Sequence, residues 1–549
     1  MRNLRFGLAY AIVAILLGLV CGALATAART FARDSEPLAS LSRQHVVALA
    51  ELTVTDDPRR LRSTRPGPPT YLVPARLTAL RSDHIGRLSL DVRVVVFGSG
   101  DAWRSLLPSQ RVAASTRLDR ADGGDLTAAV LSATGDPQPL TAPSWLQRAA
   151  GRLRAGLQAA CRSLPPQPGG LLPGLVIGDV SRLDPALVEE FRETGLTHLT
   201  AVSGANLAIM LGVVLFLARW CRAGPVTAML VCAAAVVGFV VLARPSPSVI
   251  RAAAMGSVGL LALASGRAHA APPSLAVAVT AGLLIDPGLA VDAGFALSAL
   301  ATGALVLVAP RWRDALRRRG VPPMIAEALA VPAAAQVLCA PIIAAISGSV
   351  SVAAILANLL AAPAVAPATL LGIGAALLSA LWLDGAAMLA WLASWPARWL
   401  VEIAHVGAAL PVGSFPWPTG LLGGLSLAGL TAAAFIVGRR PAARRALVVV
   451  ALGIAVGTVP IRLISPGWPP DGSVVVACDV GQGDAVVLPV APGRAVVIDA
   501  GPDPAAVDGC LNRLGVRTVD ALLLTHFHVD HIGGLAGVLR GRQVRSLVL

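Results

Sequence analysis

Long apolar runs constrain this chain more than anything else in it. Between residues 196 and 463 we read ten of them, at 197–219, 225–243, 247–266, 272–287, 289–309, 322–347, 351–382, 386–410, 418–437 and 444–462. An eleventh lies at 7–28, flanked by Arg2 and Arg5. Most approach the roughly 20 residues that cross about 30 Å of hydrocarbon as helix, whereas the strands of a membrane β-barrel would alternate. Hydrophobic residues make up 55% of the sequence and charged ones only 14%, which excludes a wholly water-soluble surface. The expected fold is therefore a polytopic α-helical membrane protein with about 11 transmembrane helices, the run at 351–382 being interrupted by Pro363 and Pro367.

Charge orients the runs. All 45 basic residues are arginine, against 31 acidic ones, and the net +14 suits lipid headgroups or nucleic acid. With a cytoplasmic N-terminus, Arg219 and Arg222, then Arg267, then Arg311, Arg313 and Arg317 to Arg319, then Arg439, Arg440, Arg444 and Arg445 fall on the cytoplasmic side. Arg29, Arg33 and Arg244 fall on the other. The expected location is the inner (cytoplasmic) membrane, multi-pass, with the soluble segments extracytoplasmic. Of the seven cysteines, Cys21, Cys161, Cys221, Cys232 and Cys339 lie in or beside apolar stretches as packing residues, and no disulfide framework is readable.

Five segments follow. Residues 1–29 form an anchor, although Ala25-Thr26-Ala27 leaves signal cleavage open. Residues 30–142 carry five short strand signals at 46–54, 71–80, 88–96, 112–118 and 126–132, separated by turn residues, as in an extracytoplasmic OB-like β-barrel. Residues 143–195 hold amphipathic surface helices. Along Trp145 to Cys161 a leucine and alanine stripe faces Arg148, Arg152 and Arg154, fit either for a membrane surface or for a linker helix. Residues 196–465 contain the apolar runs. Residues 472–549 read as soluble α/β, with strands at 473–478, 485–489, 495–498 and 522–524 and a helix at 505–514. Residues 29–162 carry 19 arginines against 12 acidic residues and few aromatics, mainly Tyr71, Phe97 and Trp103, which suits weak, sequence-blind, salt-sensitive binding of nucleic acid.

The sharpest chemical signal is Thr525-His526-Phe527-His528-Val529-Asp530-His531, followed by Gly533-Gly534. Imidazoles and a carboxylate at this spacing face two metal ions, His526 and His528 at one, Asp530 and His531 at the other. Two metals would activate water at neutral pH and polarise the attacked phosphoryl or acyl oxygen. The motif resembles the H-x-H-x-D-H signature of the metallo-β-lactamase superfamily. That resemblance implies an α/β hydrolase fold, two divalent ions (Zn or Mn) and a catalytic role at Asp530. Upstream, Asp479-Val480-Gly481-Gln482-Gly483-Asp484 and Ile498-Asp499-Ala500-Gly501 resemble the same family's first-hairpin and pre-helix motifs. Asp484 and Asp499 serve equally well as turn and capping residues. Residues 532–549 contain no His, Asp or Glu, so the expectation is a fragment, or a remnant hydrolase with four of the usual ligands.

A second motif, Phe191 through Met210, includes Thr200-Ala201-Val202-Ser203-Gly204-Ala205-Asn206. With Pro247 through Met255, Asp286-Pro287, Gly294 through Ser298, and Asn358-Leu359-Leu360, it resembles the membrane domain of ComEC-type competence proteins. The resemblance implies a channel for single-stranded DNA, bound without regard to sequence, with an attached metal-dependent nuclease. It also implies a DNA-delivery protein and a cytoplasmic motor as partners, since no Walker A loop is present. From the residues themselves, Ser203, Gly204 and Asn206 mark a broken helix, while Arg251, Asp292 and Glu327 are intramembrane charges and Asn358 adds an amide to a polar passage. The competing readings are a membrane-anchored metallohydrolase without DNA transport, and an inactive remnant.

Overall fold

The computed structural model describes residues 20–28, 30–31, 36–61, 68–82, 86–121, 127–200, 202, 204–244, 247–264, 271–351, 353–410, 414–437, 440 and 472–549. The run at 444–462, most of the 7–28 anchor and Ser203 lie outside the described residues. Two compact units are present, one carrying an N-terminal sheet and the apolar helices, the other the C-terminal sheet.

In the first unit, β1 (Val47–Val54), β2 (Arg59–Arg60), β3 (Thr70–Ser82), β4 (Gly86–Ser99), β5 (Arg111–Arg120) and β6 (Ala129–Thr141) form one mixed sheet, ordered β1-β5-β6-β4-β3-β2 with an added β1–β3 pairing. This corrects the expected OB-like barrel of five short strands. There are six strands, β3, β4 and β6 run to 13 or 14 residues, and β4 pairs with β6 in parallel. The last strand was expected to stop at residue 132, but Gly135, Pro137 and Pro139 do not end β6. Register irregularities at Arg111/Val112 and between Ala113 and Ser115 of β5 absorb them. Alternation puts Ala50, Leu52, Leu77, Val94, Val96, Leu118 and Leu131 into a core closed by Trp103, whose indole N–H donates to the Gly135 carbonyl at 3.0 Å.

Helix α1 (Trp145–Ala160) follows, capped by the Ser144 hydroxyl accepting from Gln147 N–H. It leads to α2 (Pro166–Ile177), α3 (Pro185–Glu193), α4 (Gly204–Trp220), α5 (Pro225–Ala243), α6 (Pro247–Ala264), α7 (Ala271–Ile285), α8 (Ala293–Arg317), α9 (Pro323–Ser347), α10 (Ala354–Leu378), α11 (Leu383–Ala408) and α12 (Gly420–Val437). Among the described residues five of these, α5, α8, α9, α10 and α12, are long and apolar enough to cross a membrane, which corrects the expectation of about eleven. Length is one reason. Helix α4 has 17 residues and α7 has 15, short of the bilayer requirement. Composition is another, since α11 is long enough but carries Asp384, Arg398 and Glu402. Pro363 and Pro367 do not break α10, which runs through both. The molecule remains a multi-pass membrane protein.

Small residues bring the longest helices together. Ala361, Ala364, Ala368 and Ala375 of α10 and Ala386, Ala390, Ala393 and Ala397 of α11 are buried in one cluster with Leu171, Leu172 and Leu175 of α2, because methyl side chains let helix backbones approach closely. A buried ion cluster ties sheet to helices. Asp57, after β1, lies 2.8 Å from Arg154 of α1 and 2.7 Å from Arg244 at the end of α5. Arg244, an exception to the arginine pattern, thus shares the Asp57 carboxylate with Arg154.

The first unit also holds an antiparallel pair, β7 (Ser349–Ser351) and β8 (Ser414–Pro416). In the second unit, β9 (Val476–Ala477), β10 (Val486–Ala491), β11 (Arg494–Ile498), β12 (Thr518–Leu523) and β13 (Gln543–Val544) are ordered β13-β12-β11-β10-β9, and β14 (Leu547–Val548) also pairs with β12. Strands β10 and β11 form a hairpin. Strands β11 and β12 run parallel with α13 (Pro504–Arg513) as the crossover, so Ile498 lies beside Leu523 and both strands end at the same edge.

Candidate metal centre

That shared edge builds the site. Strand β11 delivers Asp499 and β12 delivers Thr525 and His526, at the carboxyl ends of adjacent parallel strands where α/β sheets open a crevice. The short helix α14 (Val529–Ile532) then turns Asp530 and His531 back toward them. One ligand atom each from His526, Asp530 and His531 lie within 4.8 Å of one another.

Buried Asp499 organises the group. Its Oδ1 accepts from the Thr525 amide at 2.8 Å and its Oδ2 from the Thr525 hydroxyl at 2.7 Å, and the His531 Nδ1 lies 2.8 Å from Oδ2. Burial alone would raise this carboxyl. The Thr525 amide and hydroxyl and the His531 imidazole outweigh it and hold the group below the usual carboxylate range. The hydrogen bond to Asp499 in turn raises His531, with the charges of Asp499, Asp530 and Asp484 adding to it. Tautomers follow from donor counting. The single Thr525 hydroxyl proton goes to Asp499, so we assign the contact at 3.1 Å between Thr525 Oγ1 and His526 Nδ1 as donation by the imidazole. Both imidazoles then present Nε2 lone pairs, and a carboxylate behind a ligand histidine is a common device of metal sites.

Glycines let the three motifs meet. A Cβ on Gly483 would stand 2.0 Å from the Asp530 carbonyl oxygen, and one on Gly534 2.0 Å from that of Ala500. Gly501 N–H donates to Asp484 O at 2.9 Å and Ala500 N–H to His531 O at 2.7 Å, so hairpin, pre-helix turn and histidine motif share backbone bonds.

The donor set of two imidazoles and a carboxylate, with its supporting hydrogen bonds in place, fits a divalent cation. The expected pairing of His526 with His528 is drawn differently. His528 precedes α14 on its exposed side, its ring centroid 4.8 Å from that of His526, and it is not in the close group. Asp484 is exposed and joins through its backbone carbonyl, Asp479 accepts from Gly481 N–H at 3.4 Å within the turn, and Gln482 is exposed. Sequence reasoning gave Thr525 no role and left Asp499 between cap and ligand. The hydroxyl preceding the first histidine and the acid ending an apolar strand were the available signals.

The polar residues of the helical unit are dispersed by comparison. Gly204 opens α4, where an added Cβ would meet the Ala252 methyl of α6 at 3.3 Å, and Asn206 is fully buried with its amide donating to Leu175 O at 2.8 Å. Asn358 donates to Ala354 O at 2.8 Å and Gly195 O at 3.4 Å, Asp292 caps α8 by accepting from Phe295 N–H at 2.5 Å, and Glu327 is exposed. Arg251, in the first turns of α6, is only 3% exposed, and its Nε and Nη1 have no hydrogen-bond partner among the described residues.

Two family models match this chain, "Competence protein" over residues 175–442 and "Metallo-beta-lactamase superfamily" over residues 478–548. It is a multi-pass membrane protein that carries a competence-protein segment and a metallo-β-lactamase-like C-terminal segment. Among curated relatives, the chain is similar to "ComE operon protein 3" of Bacillus subtilis (strain 168), at 25% identity over 70% of the chain and 51% of the relative. It is also similar to "Competence protein ComA" of Neisseria gonorrhoeae, at 29% identity over 67% of the chain and 52% of the relative. The chain thus spans about half the length of these relatives. No solved structure matches it significantly.

Proposed function

We propose that this protein internalises single-stranded DNA across the inner membrane through its helical unit, with the C-terminal unit acting as a metal-dependent phosphodiester hydrolase. The observation that carries the reading is Arg251. A guanidinium keeps its charge in any surroundings, and one buried among helices with two nitrogens unpartnered among the described residues is costly unless an anion visits it. A phosphodiester chain, with one negative charge per nucleotide, is such an anion.

A second feature supports contact with a polyanion. On the sheet, Glu51 is buried beneath three half-exposed guanidiniums, those of Arg81, Arg87 and Arg111, at 3.1, 3.4 and 3.4 Å. One carboxylate fixes three cations and neutralises one, leaving a positive patch suited to phosphates.

In the C-terminal unit, a bound divalent ion would supply Lewis-acid polarisation of a phosphoryl oxygen and lower the pKa of an adjacent water. The chain's own part is to hold His526, Asp530 and His531 in place. Asp499 fixes the His531 ring and Thr525 the His526 ring, and Asp530 stands beside both as the proton acceptor. A DNA-delivery protein and a cytoplasmic motor complete the system. Deleting the gene in a transformable host tests the reading: uptake of labelled DNA should be lost, and normal uptake would refute it. The His526, Asp530 and His531 group favours one second reading, a membrane-anchored metallohydrolase without transport, which that deletion would leave standing if uptake persisted.

A further inference from the structure

The C-terminal unit contains a disulfide, Cys478–Cys510, with Cα atoms 5.9 Å apart and a sequence separation of 32. The other five cysteines are free thiols, and all lie in the helical unit: Cys161, Cys232 and Cys339 are buried, Cys21 and Cys221 exposed. Pairing is thus confined to the unit that carries the metal centre.

Its place in that unit is specific. Strand β9 is an edge strand of two residues, held to β10 by the pairs Val486↔Ala477 and Val487↔Val476 alone. So short an edge frays easily. Cys478 is the next residue, its N–H donating to Ala485 O at 2.8 Å, and it begins the turn that carries Asp479 through Asp484 to the metal centre. Cys510 is fully buried on α13, beside Val507 and Leu511 in the core under the sheet. The bridge therefore nails a weakly paired strand to the core one residue before the turn whose Gly483 lies against the Asp530 backbone.

We propose that Cys478 and Cys510 form an oxidative modification site on which the metal centre depends, filled by thiol–disulfide exchange with an oxidised dithiol on the extracytoplasmic face of the membrane. The exchange balances in two steps. One cysteine thiolate attacks the donor disulfide, forming a mixed disulfide and releasing one donor thiolate. The second then attacks the protein sulfur of that mixed disulfide and releases the other. The two cysteines lose two electrons and two protons, and the donor becomes a dithiol. Cytoplasmic thiols are kept reduced, so a disulfide here places the C-terminal unit outside. That placement does not rest on the DNA-uptake reading.

Differential alkylation and peptide mass spectrometry on the full-length protein in host membranes read the site directly. Cys478 and Cys510 should label only after reduction, whereas Cys161, Cys232 and Cys339 should label without it once the protein is denatured. In a host lacking its extracytoplasmic thiol oxidase, both should label directly. Free thiols at both positions in wild-type membranes would overturn the proposal, as would an intact bridge in the oxidase-deficient host. For the dependence of the metal centre, detergent-solubilised full-length protein is reduced, alkylated and equilibrated with Zn²⁺ alone. Retention should weaken by roughly tenfold or more, a loss comparable to removing a supporting residue of a metal site. The variant C478A/C510V, which keeps the core filled without a bridge, should show the same loss. Unchanged Zn²⁺ retention in either preparation would overturn that dependence.

Discussion

Two buried arginines seven positions apart, Arg244 and Arg251, have opposite surroundings. Arg244 is 5% exposed, its Nε donates to Asp57 Oδ2 at 3.0 Å, its Nη1 reaches Gln147, and its Nη2 lies 2.7 Å from Asp57 Oδ1 as an ion pair without hydrogen-bond geometry. Arg251 is 3% exposed, with Nε and Nη1 unpartnered among the described residues. The first is part of the fold, a cation whose burial is offset by a carboxylate it shares with Arg154. The second has no carboxylate paired with it among the described residues to offset its burial, which is why we propose that an anion visits it.

Removing Asp57 would turn Arg244 into a second Arg251 and strand Arg154 with it. We expect Asp57→Ala to cost about 3 kcal/mol or more, because a broken buried pair leaves uncompensated charge. A drop in the melting temperature of the detergent-solubilised protein would show it, and an unchanged melting temperature would mean that the cluster is wetter than its geometry indicates. The C-terminal unit extends the comparison with a third buried charge, Asp499, which like Arg244 has a group of opposite charge against it. Asp499→Ala should weaken Zn²⁺ or Mn²⁺ retention by about 10- to 100-fold, since the His531 ring and Thr525 lose their common acceptor. Equilibrium dialysis would measure it, and unaltered retention would remove Asp499 from the site. Glu51→Gln sits at the small end. Its three guanidiniums are half-exposed, so stability should move by no more than about 1 kcal/mol. Single-stranded DNA binding to the full-length protein should become more salt-dependent, the log–log slope steepening by about 0.7 as one more cation becomes free for phosphate. An unchanged slope would take the patch out of DNA binding.

Much of this was legible in the sequence, and the exceptions share a cause. The strands at β1 and β3 to β6, the crossover α13 and the histidine motif each rest on local alternation, turn chemistry or spacing. The helix count failed because hydropathy runs do not report helix length, as at α4 and α7, and the barrel expectation failed because β6 continues through two prolines that a bulged partner accommodates. Non-local partners were invisible. Nothing near Asp57 announces Arg244, 187 residues away. Nothing near Cys478 announces Cys510, and nothing in an isolated Glu51 announces three arginines from three other strands. Arg251 was legible as an intramembrane charge, but that its Nε and Nη1 have no hydrogen-bond partner among the described residues is visible only in three dimensions.

Replacing Arg251 with methionine in the full-length protein separates the two kinds of buried charge most directly. An unpaired cation exchanged for an apolar side chain of similar length should leave protein level and melting temperature equal or higher, while uptake of labelled DNA falls by at least about tenfold, the worth of one charge-assisted contact. Unchanged uptake, or a collapse of protein level like that expected for Asp57→Ala, would show that Arg251 is not where the DNA is met.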